Sequence, residues 1–249
     1  MRSGAAARFC SDIVRVFVRW PTLVSYNVAI SACEKGGQWK KALFLFRDMI
    51  KAKVNIDVVS YSACISACET MGEWQQGLSL FSKMGKYTVK PNVITYSATI
   101  GTHRKYGQWQ RAVSLFSEME RAKLRPNVFT YTAVISACAK GAEWQRALAL
   151  LSDMEDASVA RCSVGYGSAI SACVRGRQWQ QAMSLIRMML EESVAPDVIC
   201  YEAAMSACRV CARWQQAKVL LSEMRRVLLQ VGSESYGIVI GACEESEKE

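Results

Sequence analysis

Apolar and polar positions along the chain recur with a period of 35 residues. Three residue types mark this period most clearly: Tyr26, Tyr61, Tyr96, Tyr131, Tyr166, Tyr201 and Tyr236; Trp39, Trp74, Trp109, Trp144, Trp179 and Trp214; Met49, Met84, Met119, Met154, Met189 and Met224. Several residue types that share one period of this length predict stacked supersecondary units, as in solenoid proteins.

Each period contains two apolar stripes at helical spacing. The stripes of the first copy are Tyr26, Ala29, Ile30 and Cys33, and then Trp39, Ala42, Leu43, Phe46 and Met49. A breaker, GGQ, separates the two stripes, and a segment such as KPNVI or RPNVF follows the second. Proline disfavours helix in the residue before it, so this segment predicts a closing turn. The sequence therefore predicts an all-α fold, an α-solenoid of stacked helix-turn-helix hairpins.

The period divides the chain into six full repeats, a partial seventh and an N-terminal segment. The predicted repeats are 23–57, 58–92, 93–127, 128–162, 163–197 and 198–232, followed by 233–249 with its acidic tail. Residues 1–22 are interpreted as a degenerate second helix or as the remnant of an organellar transit peptide. The second interpretation comes from four arginines against one acidic residue in the first 20 positions.

Charge and composition narrow the function classes. The net charge is +9 and the pI is about 9.0, which favours a polyanionic partner. The sequence contains no run of 18 apolar residues, so it predicts no membrane span. No phosphate-binding loop is present, and the only histidine, His103, has no second histidine for a catalytic pair. We therefore expect no enzyme activity, cofactor, metal, membrane contact or small-molecule substrate.

The cysteines favour packing over chemistry. Six of the eleven occupy the same position in successive repeats, here called a node, on the apolar stripe of the first helix: Cys33, Cys68, Cys138, Cys173, Cys208 and Cys243. A free cysteine serves there as a small buried hydrophobic residue. The odd number favours a reducing intracellular compartment. Cys208 and Cys211 form a lone C-x-x-C that lacks two further zinc ligands.

The repeat resembles the pentatricopeptide repeat family. Its starts read LVSYNVAI, VVSYSACI, VITYSATI and VFTYTAVI, its second helix carries KALFLFRDM or RAVSLFSEM, and its closing turn reads KPN, RPN or APD. The resemblance covers residues 23–243. It implies a right-handed superhelix that binds single-stranded RNA with one base per repeat.

In that family two residues of each repeat read the base. One is the fifth residue of the repeat, which follows the periodic tyrosine, and the other is the last residue of the repeat. We call these two residues a reading pair. The resemblance implies uracil for Asn27 with Asp57, and adenine for Ser62 with Asn92 and for Ser97 with Asn127. For Thr132 with Cys162 the threonine favours a purine, but the cysteine leaves the choice open. No defined base is implied for Gly167 with Asp197 or for Glu202 with Gly232. Because the family's N-terminal repeat meets the 5′ end, the expected site begins U-A-A. Such residues are also ordinary helix-capping and turn residues, an interpretation that the sequence leaves open.

Two further nodes are expected to contact RNA. The second residue of each repeat would sandwich the base: Val24, Val59, Ile94, Phe129, Val164 and Ile199. The residue eight positions after the fifth is basic in four copies and would contact phosphate: Lys35, Lys105, Lys140 and Arg175.

The main prediction is therefore a sequence-selective RNA-binding protein that supports RNA processing, stability or translation in a mitochondrion or plastid. Since only three reading pairs specify a base, we expect a fragment of a longer protein, a protein that needs a partner, or a weakly selective binder. The alternative is a scaffold of the same architecture for protein–protein interaction.

Overall fold

The computed structural model describes residues 22–247 and contains thirteen α-helices and no strand in that part of the chain. The helices are α1 (Leu23–Lys35), α2 (Trp39–Lys51), α3 (Val58–Met71), α4 (Trp74–Lys86), α5 (Val93–Arg104), α6 (Trp109–Arg121), α7 (Val128–Lys140), α8 (Trp144–Asp156), α9 (Ser163–Arg175), α10 (Trp179–Glu191), α11 (Val198–Val210), α12 (Trp214–Arg226) and α13 (Ser233–Ser246). The predicted all-α solenoid is confirmed. The N-terminal segment that the sequence assigns to a degenerate helix or transit peptide lies outside the described residues, except for Thr22.

Two left-handed residues shape each repeat. The first lies between the two helices and is Gly37, Gly72 or Gly107 in the first three copies, but Ala142, Arg177 or Ala212 in the next three. The second follows the second helix and is never glycine: Lys53, Thr88, Lys123, Ser158, Ser193 and Leu228 all have φ between 53° and 58°.

The closing turn is a hydrogen-bonded C-terminal cap. The N–H group of Val54 donates to the carbonyl of Met49 at 3.2 Å, and Val159 donates to Met154 in the same way at 2.8 Å. This bond spans the left-handed residue and satisfies a carbonyl that the helix leaves open. The chain therefore turns at the same place in copies that carry no proline there.

The contacts divide the chain into two compact units. Among the described residues, one unit comprises residues 22–106 together with Gln110–Pro126, and the other comprises Gly107–Trp109 together with residues 127–247. In the first unit α1, α3 and α5 pack in succession, and in the second unit α7, α9, α11 and α13 do the same. The exact repeat boundaries remain a prediction.

The core of each unit lies between first and second helices. Tyr61, Ile65, Cys68 and Met84 have no exposed surface in the first unit. Five of the six cysteines in the first-helix stripe are fully buried, and the sixth, Cys243, is partly exposed. The expected packing role of this node is confirmed.

Candidate nucleic-acid interface

The last residue of a repeat is the N-cap of the next first helix. Asp57, Asn92, Asn127 and Asp197 each accept, through Oδ1, the backbone N–H of the residue three positions later at 2.8–2.9 Å. Cys162 and Gly232 occupy the same position but make no side-chain cap. Four last residues therefore commit one oxygen to the helix, which leaves the rest of the side chain for other partners.

A hydroxyl group strengthens this cap in two copies. Thr130 Oγ1 donates to Asn127 Oδ1 at 2.9 Å. Thr95 Oγ1 lies 2.8 Å from the Asn92 carbonyl oxygen and 3.2 Å from Asn92 Oδ1, and it can donate its one hydrogen to only one of them at a time. Each asparagine N–H in turn donates to the threonine oxygen, which completes a capping box. Because Oδ1 accepts the threonine N–H group in both copies, each amide directs its Nδ2 group away from the helix end.

The first reading pair is joined by hydrogen bonds. Asn27 Nδ2 donates to Asp57 Oδ1 at 3.3 Å, and Ser60 Oγ lies 2.7 Å from Asn27 Oδ1 and 2.8 Å from Asp57 Oδ1. Burial raises the pKa of Asp57, but the hydrogen bonds from the Ser60 backbone, the Ser60 hydroxyl and Asn27 lower it more. The net pKa lies below the ordinary value, so Asp57 is an anionic acceptor at neutral pH.

The fifth residues of the next three copies are nearly buried. Ser62, Ser97 and Thr132 are 7%, 4% and 7% exposed. The hydroxyl of Ser62 donates to the Val58 carbonyl at 2.6 Å, and that of Thr132 donates to the Val128 carbonyl at 2.7 Å. Since each hydroxyl spends its only hydrogen inside the helix, it can offer only lone pairs to another molecule.

The last two reading pairs differ from the others. Gly167 has no side chain, and its partner Asp197 accepts a hydrogen bond from Ser163 at 3.2 Å. Glu202 accepts a hydrogen bond from Ser235 at 2.7 Å. The sequence expectation of little base preference in these copies stays a prediction.

The second residue is an exposed apolar side chain in six of the seven first helices, α1, α3, α5, α7, α9 and α11. The exposed fractions are 70% for Val24, 51% for Val59, 59% for Ile94, 48% for Phe129, 62% for Val164 and 70% for Ile199. An apolar side chain that is exposed at the same node in six copies indicates an interaction surface, since single exposed residues would not recur in register. Each of the six follows the N-cap residue by two positions.

The four basic residues lie at the C-terminal ends of first helices, about 12 Å along the helix axis from the fifth residue. All four are exposed. Two of them also donate hydrogen bonds to the last carbonyl of the first helix in the preceding repeat. Lys105 Nζ donates to the Met71 carbonyl at 2.9 Å, and Arg175 Nη1 donates to the Lys140 carbonyl at 3.3 Å. These side chains stabilise helix ends as well as supplying positive charge.

Sequence profiles match most of the chain. The PPR repeat family matches residues 21–70, 57–103 and 98–140, the PPR repeat matches residues 129–159, and the pentatricopeptide repeat domain matches residues 149–209. The chain belongs to the pentatricopeptide repeat family. No curated protein sequence matches the chain significantly.

Solved structures of pentatricopeptide repeat proteins have the same fold. PPR10 from maize superposes with a TM-score of 0.72 at 21% identity, over 99% of this chain and 36% of that chain. PPR10 in complex with an 18-nucleotide PSAJ RNA element gives 0.69 at 21% identity, over 91% and 33%. The PPR domain of Arabidopsis thaliana protein-only RNase P 1, in complex with tRNA, gives 0.63 at 18% identity, over 74% and 95%. The chain spans about a third of the PPR10 chains, and identities this low establish the fold alone.

The tryptophans lie at the starts of the second helices. Five of them are half-buried, Trp214 is 38% exposed, and Trp39 packs against the hydrophobic core of the first unit. Arg111 lies 4.8 Å from the ring centroid of Trp74, and Arg146 lies 4.5 Å from that of Trp109. In these two copies the tryptophan therefore also packs against an arginine of the next repeat.

The histidine and the C-x-x-C pair have local structural partners. His103 is fully buried, and its Nδ1 lies 2.8 Å from the Thr99 carbonyl. Burial lowers the pKa of His103 below the ordinary value, so it is neutral at pH 7. Cys211 Sγ donates to the Arg177 carbonyl at 3.2 Å, and burial raises the pKa of Cys208 to about 11. Within residues 22–247 no group of three or more candidate ligands could hold a metal ion, and no helix is long and apolar enough to cross a membrane.

Proposed function

We propose that this pentatricopeptide repeat protein binds single-stranded RNA, with one nucleotide at each repeat. The observation that carries the proposal is the recurrence, in five of the six repeats, of an exposed apolar residue two positions after a polar N-cap residue, as at Val59 beside Asp57 and Ile94 beside Asn92. A base can stack on the apolar side chain while its edge meets the polar one. Two of the structural relatives, PPR10 and protein-only RNase P 1, are in complex with RNA.

The first pair suits uracil. Asp57 is anionic and its Oδ2 is not used by the helix cap, so it can accept the N3–H group of a base. Asn27 Nδ2 gives one hydrogen to Asp57 and has a second hydrogen for a carbonyl oxygen. A donor beside an acceptor oxygen is the pattern of the uracil edge.

The second pair suits adenine. Asn92 directs Nδ2 outward and offers donors, whereas Ser62 offers only lone pairs. Adenine presents an acceptor at N1 and a donor at its N6 amino group, which is the complementary pattern. Guanine and uracil present the opposite pattern at these atoms, so we expect them to bind this repeat less well.

We propose that Lys35, Lys105, Lys140 and Arg175 contact phosphates and that the protein acts in a mitochondrion or plastid on RNA processing, stability or translation. The organellar part is supported by the four arginines in the first 20 residues and is testable by fusing residues 1–22 to a fluorescent protein. Fluorescence that stays in the cytosol would contradict it. We propose a binding role and not a catalytic one, because His103 is neutral and enclosed and therefore poorly placed to act on a substrate.

A protein-binding scaffold is the second candidate. It is favoured by the last copies, where Glu202 engages Ser235 and gives the fifth position a carboxylate that repels phosphate. Pull-down of partners at 0.5 M salt, with and without RNase, separates the two functions. Retained partners after RNase would favour the scaffold.

The direct test is a gel shift with RNA that contains the predicted U-A-A order, compared with poly(C). We expect preferred binding of the U-A-A RNA and weaker binding as salt rises. Equal binding of both RNAs, or no binding at low salt, would reject sequence-selective RNA binding.

A further inference from the structure

We propose that the third residue of a repeat is a positioning residue, which sets the hydrogen-bonding group that the preceding reading pair offers to a base. The residues concerned are Ser60, Thr95 and Thr130, and we call their hydroxyl groups the positioning hydroxyls. This inference rests on the proposed RNA binding, because it concerns how a base is discriminated. It adds a third residue to the two that the sequence assigns to each base.

Thr95 gives the simplest case. Asn92 Oδ1 accepts the Thr95 N–H group at 2.9 Å and lies 3.2 Å from the Thr95 hydroxyl, whose one hydrogen it shares with the Asn92 carbonyl oxygen at 2.8 Å. Rotating the amide by half a turn would place the Nδ2 hydrogens against the Thr95 N–H group. That hydrogen bond and the share of the hydroxyl hydrogen would be lost, and two N–H donors would face each other. The threonine therefore holds Asn92 in the orientation that offers donors to a base.

Thr130 holds Asn127 in the same orientation. The N–H group and the hydroxyl of Thr130 both lie 2.9 Å from Asn127 Oδ1. The arrangement therefore occurs in both compact units and does not depend on one local environment.

Ser60 acts on both members of the first pair. Its hydroxyl reaches Asn27 Oδ1 at 2.7 Å as well as Asp57 Oδ1 at 2.8 Å. A hydroxyl has one hydrogen, so it can satisfy only one of these oxygens at a time. The backbone N–H of Ser60 holds Asp57 in either case, whereas the Ser60 hydroxyl is the donor to the oxygen of the Asn27 amide. Without that donor, the amide would be held only by its 3.3 Å hydrogen bond to Asp57.

The fourth pair provides an internal comparison. The residue at the positioning site of this pair is Gly165, the third residue of the next repeat. The last residue of the pair's own repeat, Cys162, makes no side-chain cap. A Cβ atom at Gly165 would lie 3.8 Å from Cys162 Sγ and 3.9 Å from Thr132 Oγ1, which are ordinary contact distances. A side chain at position 165 would thus contact both members of the fourth pair, as the Ser60 hydroxyl contacts both members of the first pair.

Loss of the hydroxyl should affect base discrimination more than affinity. The apolar stacking residue and the phosphate contacts are unchanged, but the amide oxygen then keeps only the hydrogen bond from the backbone N–H group. A single neutral hydrogen bond corresponds to a factor of about three to ten in an equilibrium constant. We therefore expect the preference for adenine over guanine at the second base to fall by about this factor.

The experiment measures fluorescence anisotropy with two RNAs that differ only in adenine or guanine at the second base. Thr95→Val removes the hydroxyl at nearly constant shape, and Thr95→Ser retains it. We expect Thr95→Val to lower the adenine-to-guanine affinity ratio about threefold to tenfold, and Thr95→Ser to leave it within twofold of wild type. Circular dichroism of both variants checks that they are folded at the assay temperature.

A gain-of-function pair keeps the test decisive if Thr95→Val does not fold. Cys162→Asn is combined with Gly165→Ser in one protein and with Gly165→Ala in its control, and adenine is compared with guanine at the fourth base. The serine variant should gain a preference for adenine that the alanine control lacks. An unchanged ratio in Thr95→Val, or equal ratios in the two fourth-repeat variants, would overturn the inference while wild-type binding of the U-A-A RNA still supports the proposed function. If wild type does not prefer that RNA, the proposed function itself fails.

Discussion

The side-chain amide of Asn27 donates a hydrogen bond of 3.3 Å to the carboxylate of Asp57, thirty residues further along the chain. The closing turn brings the two residues together, because Asp57 caps α3 beside the start of α1 in the stacked first helices. The first reading pair is thus ordered by the protein itself. A base that binds there meets groups that are already oriented, which lowers the entropy lost on binding.

The positive charge of Lys35 is expected to act on RNA phosphate. Four phosphate contacts would give a log–log salt slope of about −3, since each single-strand contact contributes about 0.7. Lys35→Gln should make the slope less negative by about 0.7. Lys41→Gln, which removes an exposed charge from α2, is the matched control and should leave the slope unchanged. Equal effects of the two substitutions would remove Lys35 from the interface.

Two glycines should respond in opposite ways to alanine. Gly37 has φ of 64° between α1 and α2, whereas Gly85 lies within α4 with open space around its Cα. Gly37→Ala should lower the free energy of unfolding by about 1 kcal/mol through backbone strain. Gly85→Ala should raise it by up to about 1 kcal/mol through helix propensity. Urea denaturation of both variants measures the difference, and effects of the same sign would contradict the assigned backbone geometry.

The contact between Trp144 and Gly176 should not tolerate a methyl group. A Cβ atom at Gly176 would lie 2.3 Å from Trp144 Cδ1, well inside van der Waals contact. Gly176→Ala should therefore cost about 1–3 kcal/mol of stability. In the background of Trp144→Leu the same change should cost much less, because the ring is gone. Additive effects in this double-mutant cycle would show that the two residues do not share the contact.

Stability should fall as pH rises through the titration of Glu69. Burial raises the pKa of Glu69 from 4.5 to about 7, although Arg104 opposes the shift and Glu34 adds to it. The folded state therefore retains a proton that the unfolded state loses between these values, so folding becomes less favourable across this window. Glu69→Gln should raise the free energy of unfolding by about 3 kcal/mol at pH 8 and by almost nothing at pH 4. Glu120→Gln, on the exposed side of α6, is the charge-matched control, and a pH-independent effect of Glu69→Gln would refute the assignment.

The sequence predicted the helices well because the period constrains every copy at once. The apolar stripes identified both helices of each hairpin, and helices begin at Leu23, Val58 and Val93, where the repeats were expected to start. The closing turn was less predictable, because Lys53 and Thr88 adopt a left-handed conformation that neither residue type signals. The hydrogen bond to the preceding methionine carbonyl forms this turn, and a backbone bond leaves no trace in the sequence.

The candidate site was predictable in its residues but not in its local chemistry. The node of Asn92 could be identified from the family, yet its cap to Thr95 depends on a side-chain geometry that the sequence does not determine. The frequent Ser or Thr at the third residue of the repeats was a possible signal for this contact. The same residue types are also common in ordinary helix caps. The role of Lys105 at the Met71 carbonyl was missed for a similar reason, since its partner lies 34 residues away.

The central claim is that the first reading pair recognises a base by its hydrogen-bonding pattern. The most direct measurement is the affinity of wild type and of the Asn27→Ser, Asp57→Asn double variant for RNAs that begin U-A-A or A-A-A. The double variant carries the residue types of Ser62 and Asn92 in the first pair. We expect wild type to prefer the first RNA and the variant to prefer the second, each by about tenfold, which corresponds to ~1.4 kcal/mol. A variant that keeps the wild-type preference, or a wild type that binds both RNAs equally, would contradict the account.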